Sequence, residues 1–335
     1  MKLIVDAMGG DNAPEQIILG TALASEILNE EITLVGETST IEKYIETYKL
    51  NRERFDIVHA SEVITNDDDP ATAVRRKKDS SVAVAMQLLK EDHSSVFVSA
   101  GSTGALLAGA FVGPGRIKGI KRPAIGIVLP NEKGTMTILL DGGANAECKA
   151  EYLEQFAMMG SVYMENMFHM AYPKVGLLNI GTEEKKGSPM VQQAHELLKI
   201  ADVNFVGNIE SRDFFSGNCD VIVADGFSGN LVLKTIEGTA ETLFREIKDI
   251  LLKGLPYKIA GALIKQPLKG VATKYDYRNY GGMPLLGVNA GIFKAHGSSD
   301  KEAFKNALLA ANDFAQSKIL EKIKEKMIEK NREIL

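Results

Sequence analysis

Short apolar runs rich in β-branched residues alternate with amphipathic stretches along most of this chain. KLIVD (2–6), ITLVG (32–36), FDIVHA (55–60), VFVSA (96–100) and AIGIVLP (124–130) read as strands. So do TMTILLD (135–141), KVGLLNI (174–180), NFVGNI (204–209) and VIVADG (221–226). Between most of them lie helical patterns, at Pro14–Leu28, Ser80–Lys90, Glu151–Asn166 and Pro189–Ile200. Near-continuous apolar strands with helical crossovers predict an α/β fold, its mostly parallel sheet covered on both faces. The pair 124–130 and 135–141, joined by NEKG, predicts one antiparallel hairpin.

Helix starts are marked locally. Ser188 before Pro189 reads as an N-cap with proline at the first helical position. Ser299 and Glu302 read as a capping box opening the final helix, and Asp11 and Asn12 as caps ahead of Pro14. From about Thr235 to Lys265 the pattern is helical, broken at GLP (254–256). With no repeat and no low-complexity linker, residues 1–335 read as a single α/β domain with a helical excursion at about 237–285.

Composition changes this picture little. The chain is 45% hydrophobic and 25% charged, and 31 glycines gather in clusters. Two cysteines, Cys148 and Cys219, without metal-ligand spacing suit a reducing cytoplasm and predict no metal. Residues 1–10 lack the pattern of a secretory leader, and no stretch reaches the roughly 18 apolar residues of a spanning helix. A net charge of −5 argues against a nucleic-acid partner. Screening acts over about 8 Å, so local charge counts for more. RRKK (75–78), RIKGIKR (116–122) and the window 250–275, with five lysines and no acid, are basic.

The chemistry gathers in glycine-rich turns that end predicted strands. They are DAMGGDNAP (6–14), SAGSTGALLAG (99–109), DGGAN (141–145), NIGTEEKKG (179–187) and ADGFSGN (224–230). In an open parallel sheet the carboxyl ends of the strands share one edge, where ligands bind. Backbone N–H groups and helix N-termini at such an edge favour anions, phosphate above all. No dinucleotide fingerprint is present. Gly176 and Gly181 have Walker spacing, but Thr182 and Glu183 follow where Lys-Ser/Thr is needed. GFSGN resembles a nucleophile elbow, yet Asn230 replaces its last glycine. Small-anion binding without a nucleotide or other cofactor remains.

Taken in order, VDAMGGDNAP, SAGSTGALLA, ILLDGGAN, LLNIGTEEKKG and ADGFSGNLVLKT resemble the bacterial acyl-acyl carrier protein:phosphate acyltransferases of phospholipid synthesis, the PlsX family. The resemblance runs to about residue 300. It implies a three-layer α/β/α sandwich like phosphotransacetylases and the isocitrate/isopropylmalate dehydrogenases, and a homodimer. It also implies transfer of a long-chain acyl group from acyl carrier protein to inorganic phosphate. The acyl phosphate would feed a membrane-bound glycerol-3-phosphate acyltransferase, which places the protein in the cytoplasm at the inner face of the cell membrane. Two alternatives stand beside it: a short-chain phosphotransacetylase using coenzyme A, and a non-catalytic scaffold of lipid-synthesis enzymes.

Phosphate is a usable nucleophile near neutral pH, so such a reaction mainly needs donors for the dianion and for the oxyanion. One well-aimed oxyanion donor is worth roughly 2.7–4 kcal/mol. Candidates for phosphate are Ser102, Thr103 and Gly104, with Lys185 or Lys186 as the cation. Asn230 and Ser228 are candidates for the oxyanion, and His296 for protonating the leaving thiolate. Lys234 would compensate charge or sit on the surface. Asp6, Asp225, Asp141, Asn145, Gly9 and Gly10 complete the turns, the acids orienting lysines or the turns themselves. Arg75, Arg76, Lys77 and Lys78, or else 116–122, could dock an acidic carrier protein; a solvated helix end is the plainer reading. Leu255, Ile259, Leu263 and Ile264 among lysines read equally as a membrane-interface face or a dimer contact.

Overall fold

The computed structural model describes residues 1–65, 67–275 and 280–333. A seven-stranded sheet is built around β1 (Lys2–Asp6), with β2 (Glu31–Gly36) and β4 (Val96–Ser99) parallel on either side. β3 (Phe55–His59) lies beyond β2, and β12 (Gly291–Lys294) runs parallel to β4. β11 (Met283–Leu286) and β5 (Ala124–Ile125) complete that side in antiparallel pairings. In a second, five-stranded sheet β10 (Val221–Val223) lies parallel between β7 (Met136–Leu140) and β8 (Lys174–Asn179). β9 (Asn204–Glu210) is parallel to β8, and β6 (Ile127–Pro130) is antiparallel to β7.

The α/β class is as expected, but the one sheet foreseen from the sequence is two. The run AIGIVLP divides at Gly126, whose N–H turns to the carbonyl of Pro284 in β11. β5 therefore belongs to one sheet, and β6 forms the expected hairpin with β7 in the other.

Period-two alternation makes these strands buried on both faces. Leu3 and Val5 enter one hydrophobic cluster while Ile4 enters another, and Val96 and Val98 part from Phe97 in the same way. Ile138 and Leu140 against Leu139, and Val221 and Val223 against Ile222, repeat it in the second sheet. The first cluster is covered by α1 (Glu15–Ser25), α2 (Thr38–Thr47), α6 (Ala150–Met167), α7 (Pro189–Ile200), α10 (Lys301–Gln316) and α11 (Ile319–Glu333). The second lies under α3 (Pro70–Arg76), α4 (Ser81–Glu91) and α5 (Thr103–Val112). Covering both faces gives three layers.

α8 (Gly226–Leu252) begins in the body, where Leu233 is buried. It continues outward and turns at Lys253–Gly254 into α9 (Leu255–Tyr275), of which no residue is buried. The break falls where GLP predicts it. Residues 276–279 of the foreseen excursion lie outside the described residues.

Two cap assignments are corrected. α10 is capped by Asp300, whose carboxylate accepts from the Ala303 N–H, while Ser299 is buried behind it. In SSD, adjacent residues can all cap, and packing selects the one that stays at the surface. α10 is also not the final helix, since α11 follows. α1 opens at Pro14 without a side-chain cap, because the Asn12 amide instead donates to the Ser298 and Ser299 carbonyls. Ser188 caps α7 as expected.

Candidate active site

Two cavities lie at the carboxyl ends of the strands and share one wall, made of Thr103, Lys294, His296 and Gly297. The first, about 400 Å³, is completed by Met8, Gly10, Asp11, Val63–Thr65 and Ala100–Ser102. The second, about 320 Å³, is completed by Ile125, Gly142, Gly143, Asn230, Leu233, Lys234, Glu237 and Met283. Four of the five glycine turns thus meet here.

Buried acids hold the turns in place. Asp6 at the end of β1 accepts from the Ser99 hydroxyl at 2.7 Å and from the Met8 N–H, and Ser99 in turn accepts from the Gly101 N–H. The first two turns are thereby tied together. Gly9 is required by this closeness, since a Cβ there would lie 2.2 Å from an Asp6 oxygen. Asp141 does the same for the second cavity. Its Oδ1 accepts from the N–H groups of Ile125, Gly143 and Ala144, and its Oδ2 from both nitrogens of Asn145. The Asn145 amide also reaches the Pro123 carbonyl. A Cβ on Gly229 would stand 2.0 Å from the Asp141 carbonyl oxygen, so α8 can seat only with glycine there.

Asp225 caps α8, accepting from the N–H and the hydroxyl of Ser228. The Ser228 hydroxyl is therefore engaged in the cap and does not line either cavity. Asn230 does, one turn into the helix beside Gly143. Lys234 also lines the second cavity, with its ammonium 2.7 Å from Glu237. The other oxygen of Glu237 is buried and has no partner among the described residues. Ser102 and Thr103 open α5, whose N-terminus faces the first cavity, whereas Gly104 packs on Pro70 of α3. His296 is on the shared wall. Its Nδ1 accepts from the Ser298 N–H at 3.2 Å, so the neutral ring carries its proton on Nε2.

The remaining turn, 179–187, lies elsewhere. Lys185 and Lys186 are exposed and line neither cavity; their carbonyls accept from the amides of Gln192 and Asn179. β8 is separated from β7 by β10, so the turn that follows it is displaced along the edge. The cation at the shared wall is Lys294, which lies outside all five glycine-rich turns. It ends β12 inside an apolar run, GIFK, where only an ammonium among buried neighbours gives a signal. Its Nζ donates to the Ala100 carbonyl at 2.9 Å and to that of Ala295. Burial brings the amine down to about 8, against the opposing charges of Asp11 and Asp6.

Away from the cavities, Arg75 and Arg76 end α3 and are exposed, as is Lys78, while Lys77 is bound to Asp68 at 2.7 Å and to the Val63 carbonyl. In the other basic stretch Arg116 covers the Phe111 ring. Leu255, Ile259, Leu263 and Ile264 are all exposed on α9. No helix among the described residues is long and apolar enough to cross a membrane.

A family model described as "Fatty acid synthesis protein" matches residues 1–322. A protein of Clostridium novyi (strain NT) named "Phosphate acyltransferase" is 46% identical over 325 residues, covering 97% of this chain and 98% of its own. One of the same name from Bacillus pumilus (strain SAFR-032) is 48% identical over 321 residues, covering 95% of each chain. Among solved structures, a phosphotransacetylase from Streptococcus pyogenes superposes with a TM-score of 0.61 over 94% of each chain at 17% identity, a likeness of fold.

Proposed function

Since the chain belongs to the fatty acid synthesis protein family, and is an acyltransferase like its phosphate acyltransferase relatives, we propose that it transfers a long-chain acyl group from acyl carrier protein to inorganic phosphate. The product is an acyl phosphate destined for phospholipid synthesis, to be used by a membrane-bound glycerol-3-phosphate acyltransferase. The observation that carries this reading is the shared wall between two small cavities, one at a helix N-terminus and the other beside Asn230. A transfer between two substrates needs two adjoining sites and a place where they meet.

Phosphate fits the first cavity, where the opening turn of α5 offers the N–H groups and hydroxyls of Ser102 and Thr103. The thioester carbonyl fits the second, with the Asn230 amide and the N–H groups of the Gly142–Gly143 turn near the oxyanion. His296, on the wall the two cavities share, serves as donor to the leaving sulfur. Asp6, Asp141, Asn145 and Asp225 position these groups through the hydrogen bonds described above. They are acceptor-only when ionised and would repel phosphate directly.

Carrier-protein docking is assigned to Arg75, Arg76 and Lys78, with Lys77 held back by its ion pair. The α8–α9 excursion is assigned to a membrane surface or a second subunit, on a chain folded as one domain and working in the cytoplasm at the membrane's inner face. Thiol release and acyl phosphate formation, measured with a palmitoyl carrier-protein thioester and with acetyl-coenzyme A, test the reading. Preference for the carrier thioester is expected; turnover of acetyl-coenzyme A alone replaces this reading with a short-chain phosphotransacetylase.

A further inference from the structure

Lys294 is nearly enclosed, at 8% exposure, yet both cavities end on it. An ammonium has three donors. The Ala100 and Ala295 carbonyls take two of them and aim the third, which has no protein acceptor among the described residues. A buried cation oriented by two carbonyls is suited to an anion that arrives later. The other cationic groups near the site are otherwise engaged or elsewhere: Lys234 is paired with Glu237, and Lys185 and Lys186 line neither cavity.

The geometry points to Lys294 as a catalytic residue of the acyl transfer, holding the attacking phosphate against the thioester carbonyl at the wall the two cavities share. This assignment rests on the reaction proposed above. In the step, a phosphate oxygen forms a bond to the acyl carbon and the carbon–sulfur bond breaks. The sulfur leaves with the electron pair and takes a proton, delivered by His296 and replaced from water. Lys294 keeps its own proton throughout. Its charge stays beside the negative charge as that passes from the phosphate oxygen to the carbonyl oxygen of the tetrahedral intermediate.

Two measurements test it. In the wild-type protein, competitive acetylation with acetic anhydride, read by peptide mass spectrometry, is expected to slow about fivefold at Lys294 in saturating inorganic phosphate and to stay unchanged at exposed Lys90. In Lys294→Met, the phosphate KM is expected to rise about tenfold and kcat to fall about 100-fold, with Lys294→Arg recovering part of the phosphate KM. A lysine with only a structural role would change the stability without moving that KM. Equal acetylation of Lys294 with and without phosphate overturns the assignment whatever the variants do. So does a Lys294→Met enzyme whose kcat and phosphate KM lie within about twofold of wild type. If the wild-type protein releases no thiol from the carrier thioester in phosphate, it is the underlying reaction that fails instead.

Discussion

Asp141 has no exposed surface, and burial pushes its carboxyl upward, yet donors from Ile125, Gly143, Ala144 and Asn145 converge on its oxygens. In Asp141→Asn the amide oxygen can still serve three backbone donors, but the new NH₂ faces both nitrogens of Asn145. Leaving buried donors unsatisfied costs about 1–3 kcal/mol each, so the variant is expected to lose about 3 kcal/mol, read from the urea midpoint. An unchanged midpoint would mean that the turn has found other acceptors. Lys294 predicts the opposite sign. Its folded pKa of about 8 lies below the ordinary 10.5, so the unfolded chain binds more protons between these values. The group therefore destabilises the fold fully below pH 8, and the penalty fades as pH rises to 10.5. Lys294→Met is expected to be more stable at pH 7 by up to about 3 kcal/mol, less what the Ala100 and Ala295 carbonyls lose with their donor. That gain should shrink in urea titrations carried toward the upper value; a gain independent of pH would place its origin in packing.

At the scale of elements, α9 stands apart because none of its residues is buried, and one of its apolar faces is open. Leu255, Ile259 and Leu263 follow one another at four-residue steps, 72%, 57% and 78% exposed, among lysines without a single acid. A helix of that kind is suited to an interface between water and something apolar. Leu263→Glu is expected to weaken sedimentation with anionic vesicles about tenfold, the worth of one inserted leucine. Undiminished binding would leave α9 to a second subunit. On α3 the expectation is electrostatic. Arg75→Glu with Arg76→Glu should raise the KM for the carrier thioester about tenfold at low salt, and the effect should fade as salt shortens the screening length. A KM that does not move would shift docking to 116–122. Lys77 is left out of this pair, since its replacement would also free Asp68, which that ammonium holds down at about 2.

For the whole molecule, the division of AIGIVLP at Gly126 raises the question of one folding unit or two. The same hydrophobic cluster contains Val5 and Phe293 of one sheet and Ile138 and Val221 of the other, packed with Phe156 of α6. A core continuous across the sheets favours one cooperative transition, with calorimetric and van't Hoff enthalpies in a ratio of about 1. Two resolved transitions would divide the chain there. Most strands and the turns that follow them were legible because they depend on neighbours only a few residues away. Leu3, Ile4 and Val5 alternate between two apolar faces, and DAMGG leaves the strand as a turn. β11 was not legible, since MPLL is short, contains proline and follows two glycines. Nor was Lys294, whose character comes from burial, from the Ala100 carbonyl and from the carboxylates of Asp11 and Asp6, all distant in sequence. The chain's local order thus determined the elements, the α/β class and the glycine-rich turns, through hydrophobic period and backbone stereochemistry. Which turns meet was decided only in three dimensions. β1, β4 and β12 stand together, β7 beside β10, and β8 one place further out, because strand order follows from which apolar faces can be covered at once.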